Sequence, residues 1–374
     1  MPRRTTVTEV AERAGVSIAS VSRVLNGLGA RPDTEERVRR AALELGYVPD
    51  AAAKALKLGR SLQLAFAVDD IANPVYAQMM HGVESGLLGS GSRLLVSSTG
   101  RRPDDLVELV QGLSRGAADG LIISPLRRSP QLIDALVKAP VPVVVIGDAG
   151  PDAALDTVRT DSARGVEAAV AHLVATGRRR IAFVNGPADT VPGRSRLEGF
   201  TLATAAGSDA ERAGIRADVV EARDFTVAAG EVAWSRVVAA TDVGTPVDAV
   251  VAANDLIALG LARAALTAGR SVPGDLAVVG VDDIEMAAIF RPSLTTVSLE
   301  AHERGRLAAE LLLRRLENPQ APVVGEFVAP RLVVRESSGA PTEAAIEAAP
   351  TPTAENAHQR TRQRTRPVTP RGQR

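Results

Sequence analysis

Over the first sixty positions apolar residues recur at helical spacing, and no segment alternates as a strand would. Val10, Ala11 and Ala14 form one stripe. Thr6-Val7-Thr8-Glu9 precedes it as a capping box, in which hydroxyl and carboxylate each satisfy an exposed amide, and Gly15 ends the helix. Ser17 caps a second helix, predicted from Ile18 to about Asn26, with Val21, Val24 and Leu25 inward and Asn26-Gly27-Leu28-Gly29 as its breaker. A third helix is predicted from about Asp33 to Leu45, with Val38, Ala42 and Leu45 inside and Tyr47 closing a small core. Pro49-Asp50 then opens an alanine-rich stretch over 51–58, helical in pattern but too short and too poor in apolar surface to stand alone.

From Leu62 the pattern changes to short apolar strands alternating with amphipathic helices. Strands are expected near Leu62, Arg93, Gly120 and Val141, then near Arg180, Asp218, Ala249 and Leu276. Helices over 75–90, 163–176, 195–206 and 255–268 fill gaps between them. This alternation predicts α/β architecture, parallel sheets with helices on both faces, arranged as two similar lobes. A helix over 299–318 and a strand near 323–327 complete the fold. Trp234 shares core spacing with Val227, Val237 and Val238 and reads as core. From about Ala340 the chain has no leucine and no aromatic residue, a composition that predicts a disordered tail; its six arginines after Glu355 could touch phosphate.

Composition narrows the classes. The 374 residues, 45% apolar and 24% charged, suit a soluble protein of two or three domains. The absence of cysteine excludes disulfides, thiolate metal sites and a cysteine nucleophile, and four scattered histidines speak against a histidine-rich metal site. No apolar run approaches the ~20 residues of a membrane span, and Met1-Pro2-Arg3-Arg4 leads into polar sequence, so a cytoplasmic protein is expected. Three lysines among 44 basic residues read as codon bias. Zero net charge hides an asymmetry: residues 1–60 carry eleven basic and seven acidic side chains. That points to a polyanion, although on charge alone an arbitrary basic face fits equally well. The chain has no phosphate-binding Gly-rich loop ending in Lys-Ser/Thr, no Gly-x-Ser-x-Gly and no His-Glu-x-x-His. The adjacent acids Asp69/Asp70 and Asp282/Asp283 would face opposite ways at a strand end, a poor acid–base arrangement. Neither an enzyme nor a cofactor is expected.

Residues 7–26 read as helix, tight glycine turn, helix, with Ile18, Ala19, Ser22 and Arg23 presented outward from a helix that fits a DNA major groove. This string resembles the N-terminus of the lactose-repressor family of bacterial transcription factors. The resemblance continues through Gly46-Tyr47-Val48-Pro49, Ala53-Lys54-Ala55-Leu56, Asn73-Pro74, Asp119-Gly120-Leu121-Ile122, Arg196-Leu197-Glu198-Gly199-Phe200, Ala253-Asn254-Asp255 and Gly280-Val281-Asp282-Asp283. It ends with Pro292-Ser293-Leu294-Thr295-Thr296-Val297 and spans about residues 5–338.

The resemblance implies an N-terminal all-α helix-turn-helix head (1–49) and a hinge helix or linker (50–60). A two-lobed α/β periplasmic-binding-protein-like domain with doubly wound parallel sheets (61–338) would bind an effector and dimerise, followed by the tail (339–374). Ile18 and Ala19 match the positions that vary with operator sequence; being apolar, they can offer only methyl contacts, such as to thymine. Arg23 matches a base-contacting position suited to guanine, with a phosphate contact as the other reading. Thr6, Ser17, Ser22 and Asn26 are candidate phosphate or capping groups, and Lys54 joins the DNA-binding set. Leu56 matches a lever that, paired with its copy from a second subunit, would wedge into a base step; residues 50–58 are expected to become helical only on operator DNA.

The carboxyl ends of the strands are where ligands of such sheets bind. They supply Asp69, Asn73, Pro74 and Tyr76, with Ser98 and Ser124, in the first lobe, and Asp189, Arg196, Phe225, Asn254 and Asp282 in the second. Arg196, Asn254 and Asp282 match effector-contacting positions suited to the vicinal hydroxyls of a sugar or nucleoside; exposed ion pairs or caps are the alternative reading for the charged members. Tyr76 and Phe225 could cover an apolar ring face. Thr190-Val191-Pro192-Gly193 reads as a loop without recognisable specificity, and Asp148, one place late against the family pattern, is left out. The implied protein is a homodimeric, effector-controlled repressor of pseudo-palindromic operator DNA, its effector a small molecule such as a carbohydrate, with no membrane partner. An effector-independent regulator with a vestigial cleft, a solute-binding component and an enzyme are the competing classes.

Overall fold

The computed structural model describes residues 5–25, 29–47, 63–100, 103–113, 117–150, 153–239 and 246–339. The head consists of α1 (Val7–Ala14), α2 (Ile18–Leu25) and α3 (Pro32–Glu44). Val10, Ala11, Ala14, Val21, Val24, Val38, Ala41 and Ala42 are buried together, with Tyr47 packed at their edge. The stretch 51–58 and the tail from 340 lie outside the described residues.

The remaining elements alternate: β1 (Gln63–Val68), α4 (Pro74–Gly86), β2 (Arg93–Ser98), α5 (Pro103–Gly112), β3 (Gly120–Ser124), α6 (Pro130–Val137), β4 (Val143–Ile146), β5 (Asp156–Thr160) and α7 (Ser162–Ala175). Then follow β6 (Arg180–Asn185), α8 (Val191–Thr204), α9 (Asp209–Arg212), β7 (Arg216–Glu221), α10 (Val227–Ala239), β8 (Ala249–Ala252), α11 (Asp255–Thr267), β9 (Ala277–Val281) and α12 (Glu285–Ile289). The chain closes with β10 (Thr295–Ser298), α13 (Ala301–Glu317), β11 (Gly325–Val328), β12 (Arg331–Val333) and a 3-10 turn, Glu336–Ser338.

Two compact units divide the chain, residues 1–159 with 301–328 and residues 160–300 with 329–374. The first unit holds a sheet of order β11-β5-β4-β3-β1-β2, and β1 to β5 pair in parallel. Leu121, Ile123, Val143 and Val145 on the strands pack with Leu132 and Leu136 of α6. Helices α4 and α13 meet backbone to backbone: a Cβ on Gly82 would lie 1.9 Å from the His302 carbonyl oxygen, so only glycine permits that approach. The second unit holds a sheet of order β12-β10-β9-β8-β6-β7, parallel throughout except for β12, which runs antiparallel to β10.

Three expectations need correction. Strands β5, β10 and β12 were not anticipated, β12 because it has only three residues and the other two because they are rich in polar residues; Thr295 and Thr296 of β10 are fully buried, and their hydroxyls are satisfied by Arg335 and Asp255. Helix α8 begins at Val191, four residues before the expected start, since Thr190 caps it (Gly193 N–H to Thr190 Oγ1, 3.0 Å) and Pro192 fits its first turn; 190–193 is therefore a helix start, not a loop. Trp234 is only half-buried and Val238 is 47% exposed, so of that helix's expected core residues Val237 is the one fully inside.

Candidate functional site

In the head, a glycine turn and a set of side-chain caps together set the presentation of α2. Thr6 N–H donates to Glu9 Oε2 at 2.7 Å while Glu9 N–H donates to Thr6 Oγ1 at 3.3 Å, which completes the capping box. Gly15, at φ +63, turns the chain, and Val16 N–H reaches back to the Ala11 carbonyl at 3.1 Å. Arg37 of α3 donates to the Gly15 carbonyl and braces the turn. Ser17 Oγ accepts from Ser20 N–H at 3.2 Å and so caps α2. With Val21 and Val24 buried beneath, Ile18, Ala19 and Arg23 stand exposed on the opposite face, Ile18 at 49%, and Ser22 is half-buried beside them. The structure therefore gathers Ser17, Ile18, Ala19, Ser22 and Arg23 on one helix, and it gives Thr6 and Ser17 the capping role. Asn26, Lys54 and Leu56 lie outside the described residues.

In the second unit the polar candidates collect at the carboxyl edge of the sheet. Arg196 projects from α8 and is 6% exposed. Its guanidinium donates to the Ala253 carbonyl at the end of β8 and, at 3.0 Å, to Asp282 Oδ1 at the end of β9. Asp282 is 5% exposed and holds φ +120, a conformation that L residues rarely adopt. Asn254 follows Ala253; its Oδ1 caps α11 by accepting from Ile257 N–H at 3.0 Å, and its Nδ2 donates to the Phe225 carbonyl at 3.3 Å. Gly186, after β6, lies under the Phe225 ring. Arg196, Phe225, Asn254 and Asp282 thus form one connected group, as the sequence led us to expect. Asp189 stands on the exposed loop before Thr190.

The first unit has a corresponding edge. Asp69 directly follows β1, its carbonyl accepting from Ser98 Oγ at 3.1 Å at the end of the neighbouring β2. Asn73 caps α4 through Val75 N–H (3.2 Å), and Tyr76 lies half-buried in that helix's first turn. Ser124 ends β3 at the level of Val68. At the end of β4, Asp148 pairs with Arg128 at 2.6 Å.

Two polar groups escaped the sequence reading. Asn185, 2% exposed, sits at the carboxyl end of β6 and donates to the Gly193 carbonyl at 3.1 Å. The strand-end rule that selected Asp189 applies equally to it. Asp255 is fully buried; burial, and then the neighbouring Asp282 carboxylate, push its pKa well above the usual carboxylate range. Among the described residues no group of three or more His, Cys, Asp or Glu side chains is placed to hold a metal ion, and no helix is long and apolar enough to cross a membrane.

A DNA-reading helix pair, followed by two doubly wound sheets with polar groups gathered at their carboxyl ends, defines the class of ligand-responsive helix-turn-helix regulators. The signature of bacterial regulatory proteins, lacI family, matches residues 6–50, and that of a periplasmic binding protein-like domain matches residues 170–338. The HTH-type transcriptional regulator CelR of Thermobifida fusca is 36% identical over 344 residues, 90% of this chain and 98% of that protein. A solved CelR–cellobiose complex superposes with a TM-score of 0.66 at 35% identity, covering 89% of this chain and all of that one. The lac repressor dimer bound to operator and the anti-inducer ONPF gives a TM-score of 0.77 at 27% identity over 90% of this chain and all of that one. The chain belongs to the lacI family of bacterial regulatory proteins, and it is a DNA-binding regulator of transcription.

Proposed function

We propose that this chain is a homodimeric repressor whose grip on a pseudo-palindromic operator is set by a saccharide. The buried Arg196–Asp282 pair, joined through the Ala253 carbonyl to Asn254, carries the reading. A fork of donors, an amide and a carboxylate held rigidly at a sheet's carboxyl edge match vicinal hydroxyls, and the half-buried Phe225 beside them offers a face for a sugar ring. The CelR–cellobiose complex supports a β-linked disaccharide as the first ligand to try. Asp189 is proposed as a peripheral contact, and Asp69, Asn73 and Tyr76 are proposed effector contacts on the first sheet. The intact polar group argues against a vestigial site and an effector-independent regulator.

On DNA, Arg23 is proposed to read a guanine, Ile18 and Ala19 to touch thymine methyls, and Ser17, Ser22 and Thr6 to help set the head against phosphates, together with Asn26, Lys54 and the Leu56 wedge. Residues 1–49, 50–60, 61–338 and 339–374 are proposed as head, hinge, effector-binding and dimerisation domain, and tail. The protein would act on the nucleoid in the cytoplasm.

The test selects an operator from a random duplex pool, then titrates cellobiose and ribose into the complex while fluorescence anisotropy is followed. A saccharide is expected to shift operator affinity by about tenfold, within the usual range for allosteric coupling. Equal affinity for selected and random duplexes at moderate salt would sink the operator reading; no response to either sugar would sink the saccharide reading.

A further inference from the structure

One carboxyl of the second unit is buried with no arginine or lysine pairing it among the described residues. Asp255 opens α11 and is 0% exposed. Both of its oxygens are engaged. Oδ2 accepts from Ile284 N–H at 2.9 Å, and Oδ1 accepts from the Thr296 hydroxyl. The Thr296 oxygen in turn accepts from Asp283 N–H at 3.3 Å. A single carboxyl therefore reaches two consecutive amides, one directly and one through a threonine. The carboxyl fills its space closely: a Cβ on Gly280 would lie 2.2 Å from Oδ1.

The turn held in this way is strained. Asp282 and Asp283 take φ values of +120 and +57, and neither is glycine. Such a conformation persists only where its surroundings over-determine it. Here the Val297 carbonyl takes the Asp282 amide at 2.9 Å, and Arg335 takes the Asp283 carboxylate at 2.6 Å. Those two contacts leave the amides of Asp283 and Ile284 to Asp255. The side chain that this turn aims is Asp282, which meets Arg196.

We propose that Asp255 is a positioning residue of the effector site, holding the Asp282–Ile284 turn in the conformation that directs Asp282 onto Arg196. The proposal rests on the reading of Arg196 and Asp282 as effector-binding groups. Hydrogen bonding, not charge, does the positioning. An asparagine can offer Oδ1 to Ile284 N–H and an Nδ2–H to the Thr296 oxygen, whereas leucine has the size and makes neither bond.

The experiment measures hydrogen exchange at the Asp283 and Ile284 amides, together with the Arg196 guanidinium NMR signal, in the full-length chain without ligand. Amides of β6 and β8 serve as the reference for general stability. Asp255→Leu is expected to speed exchange at both turn amides by about tenfold or more relative to that reference and to abolish the slowly exchanging Arg196 signal. Asp255→Asn should stay within about twofold of the parent, and Thr296→Val should speed Asp283 much more than Ile284. A folded Asp255→Leu variant with native exchange and an intact Arg196 signal would overturn the proposal, as would an asparagine variant as damaged as the leucine one. Should Asp255→Leu fail to fold, Thr296→Val decides, and unchanged exchange at Asp283 overturns the proposal. Because the readout uses no ligand, failure of the parent protein to bind cellobiose or ribose counts against the saccharide reading and leaves this test standing.

Discussion

Substituting Arg196 by methionine removes one half of an ion pair whose side chains are only 8% and 6% exposed. Methionine keeps much of the stem volume and loses the bonds to Ala253 and Asp282. What remains is the Asp282 carboxylate, deep in the second unit without that cation. Breaking a buried pair from one side costs about 3–5 kcal/mol, mostly the penalty of a desolvated charge left behind. For a unit of this size each kcal/mol moves the melting temperature by about 2–4 °C, so the transition of the second unit should fall by about 6–20 °C. Adding Asp282→Asn to that variant removes the stranded charge while keeping nearly the same side-chain shape, and asparagine is among the non-glycine residues enriched at positive φ. The double variant should recover about half or more of the loss and still fail to bind saccharide. Calorimetric melting of parent, single and double variants without ligand gives the stability arm, and cellobiose titration gives the binding arm. A single variant that melts within about 2 °C of the parent would refute the assigned burial energetics. A double variant that binds cellobiose as the parent does would remove the pair from the effector site.

Three further outcomes test other parts of the molecule. Arg23→Ala should weaken selected-operator binding by about 1–3 kcal/mol and relax the preference at one base pair, read by anisotropy against a set of single-position operator variants; a loss equal on all sequences would mark a phosphate contact instead. Gly82→Ala places a methyl 1.9 Å from the His302 carbonyl, so α4 and α13 must part; the first unit should lose about 3 kcal/mol or more in urea titration, and native stability would contradict the backbone contact. His172 is buried against Ser338 (Nε2 to Oγ, 2.8 Å), and burial lowers its pKa from about 6.5. The unfolded chain then takes up the proton first, so this residue's contribution to stability falls as pH drops below about 6.5 toward the folded value. His172→Gln should flatten the pH dependence of melting across that window, and an unchanged slope would exclude His172 as its source.

How far the sequence carried the description depended on what each residue displays in one dimension. The capping box at Thr6 and Glu9, the stripe Val10-Ala11-Ala14 and the apolar cores of β1, β3, β6 and β8 are patterns of residue type, and the structure places them where the periodicity does. Strand β10 is invisible to that reading, because Thr295, Thr296 and Ser298 are buried through hydrogen bonds and not through apolarity. Nor does periodicity report connectivity: α13 follows the second series of strands in sequence but packs in the first unit against α4. The same division runs through the site. Arg196, Asn254 and Asp282 stood out because they match positions of the resembled family and their residue types carry chemistry; Asn254 and Asp282 follow β8 and β9, whereas Arg196 stands in the first turns of α8. Asp255 stands one position beyond Asn254, and only its complete burial and its bonds to Ile284 and Thr296 distinguish it from the many acids that open helices in solvent. A group that acts by fixing another group's direction needs no unusual residue type, only partners distant in sequence. Asp255 has both at separations of 29 and 41 residues. Sequence inspection will therefore find the residues that touch a ligand more readily than those that aim them, and substitutions at the second kind will alter the site while leaving each recognised motif intact.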